Sequence, residues 1–230
     1  MNKKGFIFDL DGVIVDTAKY HFLAWRKLAK SIGVDFSEKE NEQLKGVSRK
    51  RSLEKILEWG DKTLPEDEFD RLMSLKNDDY LSHINKMDTS EILPDVTKTL
   101  DFLIERDQAM ALGSASKNAK AILKKVNLLN KFEAIVDGND VSKAKPNPEV
   151  FLIGAKLLNM PNEDCIVFED SVAGIKAANI ANMLSIGIGS EENLHEADFV
   201  FKDFTEISED FLIDIIQDRV QKNKLSKKRN

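Results

Sequence analysis

Four short polar motifs contain residue types that could do chemistry together. They read DLDG, GSAS, KAKPNP and FEDS, and each lies near the end of an apolar run. The first and last supply four carboxylates, which would repel one another unless a hard divalent cation such as Mg²⁺ lay between them. A serine hydroxyl and a lysine ammonium from the other two suit a phosphoryl group in transfer. The motifs predict a phosphate site built on magnesium, with these candidates: Asp9, Asp11, Ser114, Lys145, Glu169 and Asp170.

Each motif alone also has an ordinary structural interpretation. An Asp-x-Asp pair after a strand often forms a turn, a Ser-x-Ser pair often caps a helix, and a lysine before proline is usually solvated. Because all four motifs occur together and in this order, a catalytic site is favoured over four independent turns and caps.

The elements that must position these motifs form an α/β pattern. Short apolar runs alternate with helical patterns, which predicts a doubly wound parallel sheet. In such a sheet ligands bind at the carboxyl ends of the strands, where the motifs lie. The predicted strands cover residues 5–8, 110–113, 134–136, 166–168, 185–188 and 199–201.

A long insertion separates the first strand from the second. It holds several helical patterns and no convincing strand, and it is too long for a loop, so it predicts a small helical cap domain. One helix should end near Gly33, and another should begin after Ser48 and end at Gly60. The predicted boundaries are residues 17–87 for the cap, and residues 1–16 with 88–230 for the α/β core.

Composition argues against several classes of protein. Of 230 residues, 34 are Lys or Arg and 40 are Asp or Glu, giving a net charge of −6 with no basic excess for binding nucleic acid. No apolar run approaches the roughly 20 residues of a membrane span, and no signal peptide is visible, so the expectation is a cytoplasmic chain. With three histidines and one cysteine, a zinc site is not expected, and Cys165 is predicted to be a buried strand residue. The basic segment 221–230 is predicted to be a polar terminus, with a binding arm as the alternative.

The order Asp-x-Asp-Gly, Ser, Lys, Glu-Asp resembles the haloacid dehalogenase superfamily over nearly the whole chain. The resemblance implies that Asp9 is a nucleophile that forms an aspartyl phosphate and that Asp11 is the general acid and base. It further implies that Ser114 and Lys145 grip the phosphoryl group in transfer. The implied ligands of one Mg²⁺ are the Asp9 side chain, the Asp11 backbone carbonyl, Glu169 and Asp170.

The stretches YHFLAWRKLA, NEQLKGVSRKRSL and GSASKN are similar to the β-phosphoglucomutase branch of that superfamily. This resemblance implies interconversion of β-glucose 1-phosphate and glucose 6-phosphate, with β-glucose 1,6-bisphosphate as intermediate and activating phosphoryl donor. The partners would be small sugar phosphates, and the chain is expected to be a monomer. His21 and Lys45 would approach the sugar, and Arg49 would hold the phosphate that is not transferred. The remaining substrate-binding candidates are Thr17, Trp25, Gly46, Val47, Ser52, Lys76, Ser116, Lys117 and Asn118.

Several alternatives stay open at this point. Trp25 could be a core residue only, His21 a packed or surface residue, Arg49 an ordinary charge at a helix start, and Lys76 part of a solvated helix face. A sugar-phosphate phosphatase would use the same core, but a mutase needs a second phosphate-binding group in the cap, for which Arg49 is the candidate. A phospho-receiver domain that lacks enzyme activity would need neither the cap nor Asp11, and a catalytically inactive binding protein should have lost a core residue.

Overall fold

The computed structural model describes residues 3–220 and contains a six-stranded parallel sheet in the order β3-β2-β1-β4-β5-β6. Its strands are β1 (Gly5–Phe8), β2 (Ala109–Gly113), β3 (Ala134–Val136), β4 (Cys165–Glu169), β5 (Leu184–Ile188) and β6 (Phe199–Phe201). All six predicted strands are present, each within one residue of its predicted bounds. Cys165 is buried at the start of β4, as expected. The predicted α/β fold class is confirmed.

The first strand occupies the centre of the sheet, where both faces are covered. β1 pairs with β2 on one side and β4 on the other, and its four residues are all buried. Phe8 stacks on Phe168 of β4 at a ring distance of 4.8 Å, while Ile7 points into the hydrophobic cluster on the opposite face. A strand buried on two faces needs apolar residues at every position, which explains the continuous run in the sequence.

Helices cover both faces of the sheet. Two hydrophobic clusters, one on each face, contain the apolar residues of these helices and of the strands. The helices before β2 are α1 (Ala18–Ser31), α2 (Glu38–Glu42), α3 (Arg49–Trp59), α4 (Glu66–Ile84) and α5 (Val96–Glu105). Those after β2 are α6 (Ala119–Lys125), α7 (Glu149–Leu157), α8 (Val172–Ile180), α9 (Glu191–Leu194) and α10 (Glu209–Ile216).

Helices α1 to α4 form the insertion after β1. Three of them, α1, α3 and α4, share a hydrophobic cluster, which includes Trp25, Leu53 and Ile56. Two predicted helix boundaries are confirmed: Ser48 caps α3 by accepting a hydrogen bond from the Arg51 backbone N–H, and Gly60 ends the helix. Gly33 follows α1 at φ +69°, a conformation that favours glycine.

The two chain segments that connect the insertion to the sheet touch each other. The carboxylate of Glu91 accepts hydrogen bonds from Lys19 Nζ at 2.7 Å and from Tyr20 OH at 2.5 Å. The backbone N–H of Asp16 donates to the Glu91 carbonyl at 2.9 Å. These contacts tie the entry and exit of the helical insertion together near residues 16–20 and 91.

No helix in residues 3–220 combines the length and the apolar character that crossing a bilayer requires. The basic segment 221–230 lies outside the described residues.

Candidate active site

The parallel register brings three of the polar motifs to one edge of the sheet. Asp9 comes directly after β1, and its backbone N–H donates to the Phe168 carbonyl at 2.9 Å. Ser114 comes directly after β2, and Glu169 is the last residue of β4. Since β1 lies between β2 and β4, these residues meet at the carboxyl ends of three adjacent strands.

Lys145, from the loop before α7, reaches this edge from the side. Its Nζ lies 2.6 Å from Asp9 Oδ1, 2.7 Å from Glu169 Oε2 and 3.2 Å from the Gly113 carbonyl. Burial alone would lower the pKa of this ammonium, but Asp9 and Glu169 more than offset that effect and raise the pKa above its ordinary value. Lys145 is therefore a buried, permanently charged group that fixes two carboxylates.

Three carboxylates at this edge could hold a metal ion. Asp9, Glu169 and Asp170 each offer an oxygen atom within 4.8 Å of the others. Burial raises the pKa of Asp170 to about 7, with Lys45 opposing the shift and Glu169 adding to it. Three carboxylates that repel one another and offer only hard oxygen ligands fit Mg²⁺.

Glu169 is held in place by the start of α8. Ser171 donates to Glu169 Oε1 from its hydroxyl at 2.6 Å and from its backbone N–H at 3.1 Å. The Ser171 hydroxyl also accepts from the Gly174 N–H at 3.0 Å, so it caps the helix at the same time. A β-carbon on Gly174 would lie 1.9 Å from the Glu169 carboxyl carbon, so only glycine fits there.

Asp11 lies above this group, facing helices α1 and α4. Its Oδ1 accepts a short hydrogen bond from the Thr17 hydroxyl, lies 3.5 Å from Tyr80 OH and is 3.8 Å from His21 Nε2. Burial raises the pKa of Asp11, while the Thr17 hydroxyl and the more distant Lys76 oppose the shift. Thr17 is fully buried and contacts Asp11 rather than the cavity.

Lys76 is enclosed by the insertion. Its Nζ lies 2.8 Å from His21 Nδ1 and 4.7 Å from the ring centres of both Trp25 and Tyr80. With 3% of its surface exposed, it is not part of a solvated helix face. Burial and the charge of Arg49 lower the pKa of Lys76 to about 7. The same burial, with Lys76 beside it, lowers the pKa of His21.

A second polar group lies where α3, α4 and the loop before α6 meet. Arg49 Nη2 donates to Asn77 Oδ1 at 2.6 Å, and Asn118 Nδ2 donates to the same oxygen at 3.3 Å. The loop before α6 is ordered by its own hydroxyls: Ser116 N–H donates to Ser114 Oγ at 3.1 Å, and Asn118 N–H donates to Ser116 Oγ at 3.2 Å. Among residues 3–220, no carboxylate lies within ion-pair distance of Arg49.

One cavity connects the two groups. Its volume, including the opening to solvent, is about 870 Å³. Most of the residues predicted from the sequence line it: Asp9, Asp11, His21, Trp25, Lys45, Gly46, Val47, Arg49, Ser52, Lys76, Ser116, Lys117, Asn118 and Asp170. Thr17, Ser114, Lys145 and Glu169 lie behind this lining and are at most 5% exposed. The first three contact it through hydrogen bonds, and Glu169 is hydrogen-bonded to Lys145. Trp25 both packs in the core of the insertion and faces the cavity.

Comparison with known proteins identifies the family. The sequence profile of the haloacid dehalogenase-like hydrolases matches residues 3–182. The chain belongs to this family.

Two proteins that are similar to this chain are both named β-phosphoglucomutase. A β-phosphoglucomutase of Bacillus subtilis (strain 168) is 39% identical over 91% of this chain and 93% of the relative. A crystal structure of β-phosphoglucomutase from Clostridium difficile has a TM-score of 0.90 and 42% identity, covering 94% of this chain and 98% of that one. A phosphorylated carbohydrates phosphatase of Thermotoga maritima is 31% identical over 77% of this chain and 81% of the relative. The resemblance to β-phosphoglucomutases within the haloacid dehalogenase family is confirmed.

Sequence reasoning missed three side chains of this haloacid dehalogenase-like site. Tyr80 faces Asp11, Asn77 joins Arg49 to Asn118, and Ser171 orients Glu169. Other unpredicted residues complete the lining: Ala18, Asn41, Leu44 and Ala115. Two of the three carry a visible signal, since Tyr80 is one helical turn beyond Lys76 and Ser171 stands where a helix N-cap is expected. Asn77 lies in the polar run KNDD and carries none.

Proposed function

We propose that this chain is a Mg²⁺-dependent β-phosphoglucomutase that interconverts β-glucose 1-phosphate and glucose 6-phosphate through β-glucose 1,6-bisphosphate. The observation that carries the proposal is the pairing of two sites in one cavity. Asp9 and the group of Arg49, Lys117 and Asn118 line the same cavity, and the proposal places them at its two ends. A bisphosphate could present one phosphate to each end, and both orientations of the sugar would use the same two sites. The 39% identity to a β-phosphoglucomutase supports the assignment.

Mg²⁺ would be held by the Asp9 side chain, the Asp11 backbone carbonyl, Glu169 and Asp170. The first, third and fourth of these oxygens are grouped in the structure, and the Asp11 carbonyl stays a prediction. The bound cation would neutralise negative charge on the phosphoryl oxygens. Ser171 and Lys145 would keep Glu169 and Asp9 in their positions as ligands.

In the step proposed for Asp9, a carboxylate oxygen attacks the phosphorus of the bisphosphate. The new P–O bond gives an aspartyl phosphate, the bond from phosphorus to the sugar oxygen breaks, and that oxygen takes a proton from Asp11. In the reverse sense Asp11 removes a proton from the hydroxyl of a bound monophosphate, and the oxygen attacks the aspartyl phosphate to regenerate the bisphosphate. Lys145 and Ser114 would stabilise the charge on the phosphoryl group.

Asp11 is suited to exchange a proton in this way. Burial raises its pKa above the ordinary value of a carboxyl group, which favours the protonated form that a general acid needs. Its Oδ1 faces Thr17, Tyr80 and His21, which fix the orientation of the carboxyl group at the cavity wall. Placing the acid between the sheet and the helical insertion lets one group serve both half-reactions.

A sugar-phosphate phosphatase is the second candidate, because a relative with 31% identity is named as a phosphatase of phosphorylated carbohydrates. A phosphatase transfers the phosphoryl group to water. A mutase must keep the aspartyl phosphate intact while a second site holds the phosphate of the bound sugar monophosphate. The guanidinium of Arg49, free of carboxylate partners among the described residues, favours the mutase.

The experiment that tests the proposal is phosphorus NMR of the purified protein with Mg²⁺, β-glucose 1-phosphate and a trace of β-glucose 1,6-bisphosphate. A mutase converts the glucose 1-phosphate signal into that of glucose 6-phosphate with little inorganic phosphate. Accumulation of inorganic phosphate in proportion to substrate loss would assign the chain to the phosphatases instead. A persistent aspartyl phosphate with no sugar turnover would indicate a phospho-receiver.

We further propose that the cap comprises residues 17–87 and the core residues 1–16 and 88–230, supported by the separate hydrophobic cluster of helices α1, α3 and α4. The cytoplasmic location and the monomeric state stay predictions.

A further inference from the structure

The amide of Asn77 joins two cavity-lining residues, Arg49 of the insertion and Asn118 of the sheet domain. Asn77 lies on α4, Arg49 is the first residue of α3, and Asn118 precedes α6 beside the sheet. Both Arg49 Nη2 and Asn118 Nδ2 donate to the single oxygen Oδ1 of Asn77, at 2.6 Å and 3.3 Å. Since a guanidinium has donors only, the atom of Asn77 that faces it must be the oxygen.

This arrangement leaves the positive charge of Arg49 available to bind an anion. A carboxylate in place of the amide would also accept two hydrogen bonds, but it would neutralise the guanidinium and repel a phosphate. A neutral amide oxygen orients the guanidinium without cancelling its charge. Lys117 and Asn118 line the same cavity as Arg49, so the orientation given to Arg49 affects whether these donors can converge on one anion.

We propose that Asn77 is a positioning residue for the second phosphate, which it serves by holding Arg49 of the insertion and Asn118 of the sheet domain at a fixed spacing. This role presupposes the sugar-phosphate chemistry proposed above and adds a residue that touches neither reacting atom. Because the second phosphate is bound alike in the ground state and in the transition state, loss of Asn77 should raise KM and leave kcat nearly unchanged.

Two substitutions at position 77 separate positioning from simple packing. Asn77→Ala removes the shared acceptor, and the affinity for glucose 6-phosphate in the presence of Mg²⁺ should fall about tenfold, as expected for one charge-assisted hydrogen bond. Asn77→Asp keeps the shape and the acceptor but adds a charge beside Arg49, so affinity should fall further, by about a hundredfold. If the residue only packed α4, the near-isosteric aspartate would be the milder change.

The matched control is Asn193, an exposed residue of α9 outside the cavity. Asn193→Asp adds the same charge to the surface and should leave both the calorimetric Kd for glucose 6-phosphate and the isomerisation rate unchanged. Thermal melting of all variants checks that the fold is intact, and the near-isosteric Asn77→Asp keeps the test open if the alanine variant unfolds.

A double-mutant cycle tests whether Asn77 acts through Arg49. In an Arg49→Ala background, Asn77→Ala should change the Kd for glucose 6-phosphate by less than about twofold, since the group it orients is gone. Equal effects of Asn77→Ala in both backgrounds, or tighter binding by Asn77→Asp than by Asn77→Ala, would overturn the proposal. The binding measurement is independent of turnover: a wild-type chain that binds glucose 6-phosphate but does not isomerise it refutes the mutase and leaves the test of Asn77 intact.

Discussion

Gly46 and Ser171 face each other across the junction between the helical insertion and the sheet, so closely that a β-carbon on Gly46 would lie 2.5 Å from the Ser171 hydroxyl oxygen. That hydroxyl donates to Glu169 Oε1 at 2.6 Å. The loop before α3 therefore rests on the residue that orients a proposed magnesium ligand. Lys45, next to Gly46, also reaches Asp170 Oδ2 at 3.3 Å. Through these contacts, a shift of the insertion would change the geometry of the carboxylates.

We expect Gly46→Ala to disturb the contact between the loop before α3 and Ser171. The added carbon displaces Ser171 or the loop, and a shift of about 1 Å at a catalytic group can reduce kcat/KM by about a hundredfold. The Mg²⁺ concentration that gives half-maximal activity should also rise. Steady-state kinetics over a magnesium titration checks both effects.

Gly33→Ala is the control for that variant. Gly33 has φ +69°, close to the +68° of Gly46, but nothing lies within 4 Å of the position a β-carbon would take. Both variants carry a similar left-handed backbone strain of about 1 kcal/mol. Equal activity losses in the two variants would show that strain, not the contact with Ser171, is responsible.

Asp9→Asn should abolish phosphoryl transfer while the fold stays intact. An amide cannot attack phosphorus as a carboxylate does, and the near-isosteric change leaves Lys145 paired with Glu169 at 2.7 Å. Labelling by a small phosphoryl donor, identified as an acyl phosphate by its loss on hydroxylamine treatment, should disappear together with turnover. Persistent hydroxylamine-sensitive labelling in this variant would assign the nucleophile to another carboxylate.

Asp11→Asn should slow proton transfer and leave metal binding in place. General acid and base catalysis contributes roughly 10²–10⁴ in rate, so isomerisation should fall by at least that range. Mg²⁺ affinity should change little, because the proposed ligand at this position is the backbone carbonyl. Rapid-quench isomerisation assays and a magnesium titration measure the two quantities, and near-normal turnover would transfer the role to His21, whose Nε2 lies 3.8 Å from Asp11.

Arg49→Ala should distinguish a mutase from a phosphatase. The variant loses a charge-assisted contact worth roughly 1.5–3 kcal/mol, so isomerisation should drop by at least about tenfold. Labelling of Asp9 by a small phosphoryl donor without a second phosphate should continue at a similar rate. Arg49→Lys should restore only part of the activity, since a point charge does not reproduce the planar fork of donors. Intact isomerisation with impaired labelling would place Arg49 in the transfer site instead.

The buried ammonium of Lys76 should make stability depend on pH. Burial and Arg49 lower its pKa from 10.5 to about 7 in the folded chain, while Asp11 and Asp79 oppose the shift. Between these two values the unfolded chain binds more protons, so the free energy of unfolding rises with pH; below about 7 the full cost of the buried charge is present. Relative to Lys76→Met, the wild-type chain should gain about 2–5 kcal/mol over this range.

Urea unfolding of both proteins at about pH 7 and about pH 9.5 measures this difference. A wild-type stability that falls relative to Lys76→Met as the pH rises would mean that Lys76 stays charged, stabilised by the rings of Trp25 and Tyr80.

The fold was predictable because its signals are local. Residues 199–201 read as a strand from their apolar run alone, and Ser48 and Gly60 mark both ends of α3 through cap chemistry that acts within a few residues. The strand ends also located the carboxylates, since parallel pairing aligns the ends of β1 and β4. Ala109 extends β2 by one residue beyond the prediction, because it pairs with Gly5 at the start of the ladder.

What the sequence did not reveal depends on how helices pack against one another. Tyr80 reaches Asp11 only because α4 packs beside α1, which also brings the Tyr80 ring 4.1 Å from that of His21. Asn77 looks like part of a solvated polar run, and its contacts exist only where α3, α4 and the loop before α6 meet. Thr17 was placed at the substrate by resemblance, but tertiary packing buries it behind Asp11.

The central position of β1 also determines when the sheet can be completed during synthesis. Gly5 pairs with Ala109 on one side and with Cys165 on the other, so β1, which precedes both partner strands in the chain, must wait for both of them. The hydrophobic cluster of the helical insertion lies within residues 22–73, so the contacts inside this cluster are short-range and can form earlier. Until β4 has been translated, the apolar strands of the nascent sheet can pair with β1 only on its β2 side, so the other edge of β1 stays open. During that interval this open edge is accessible to chaperones and prone to aggregation.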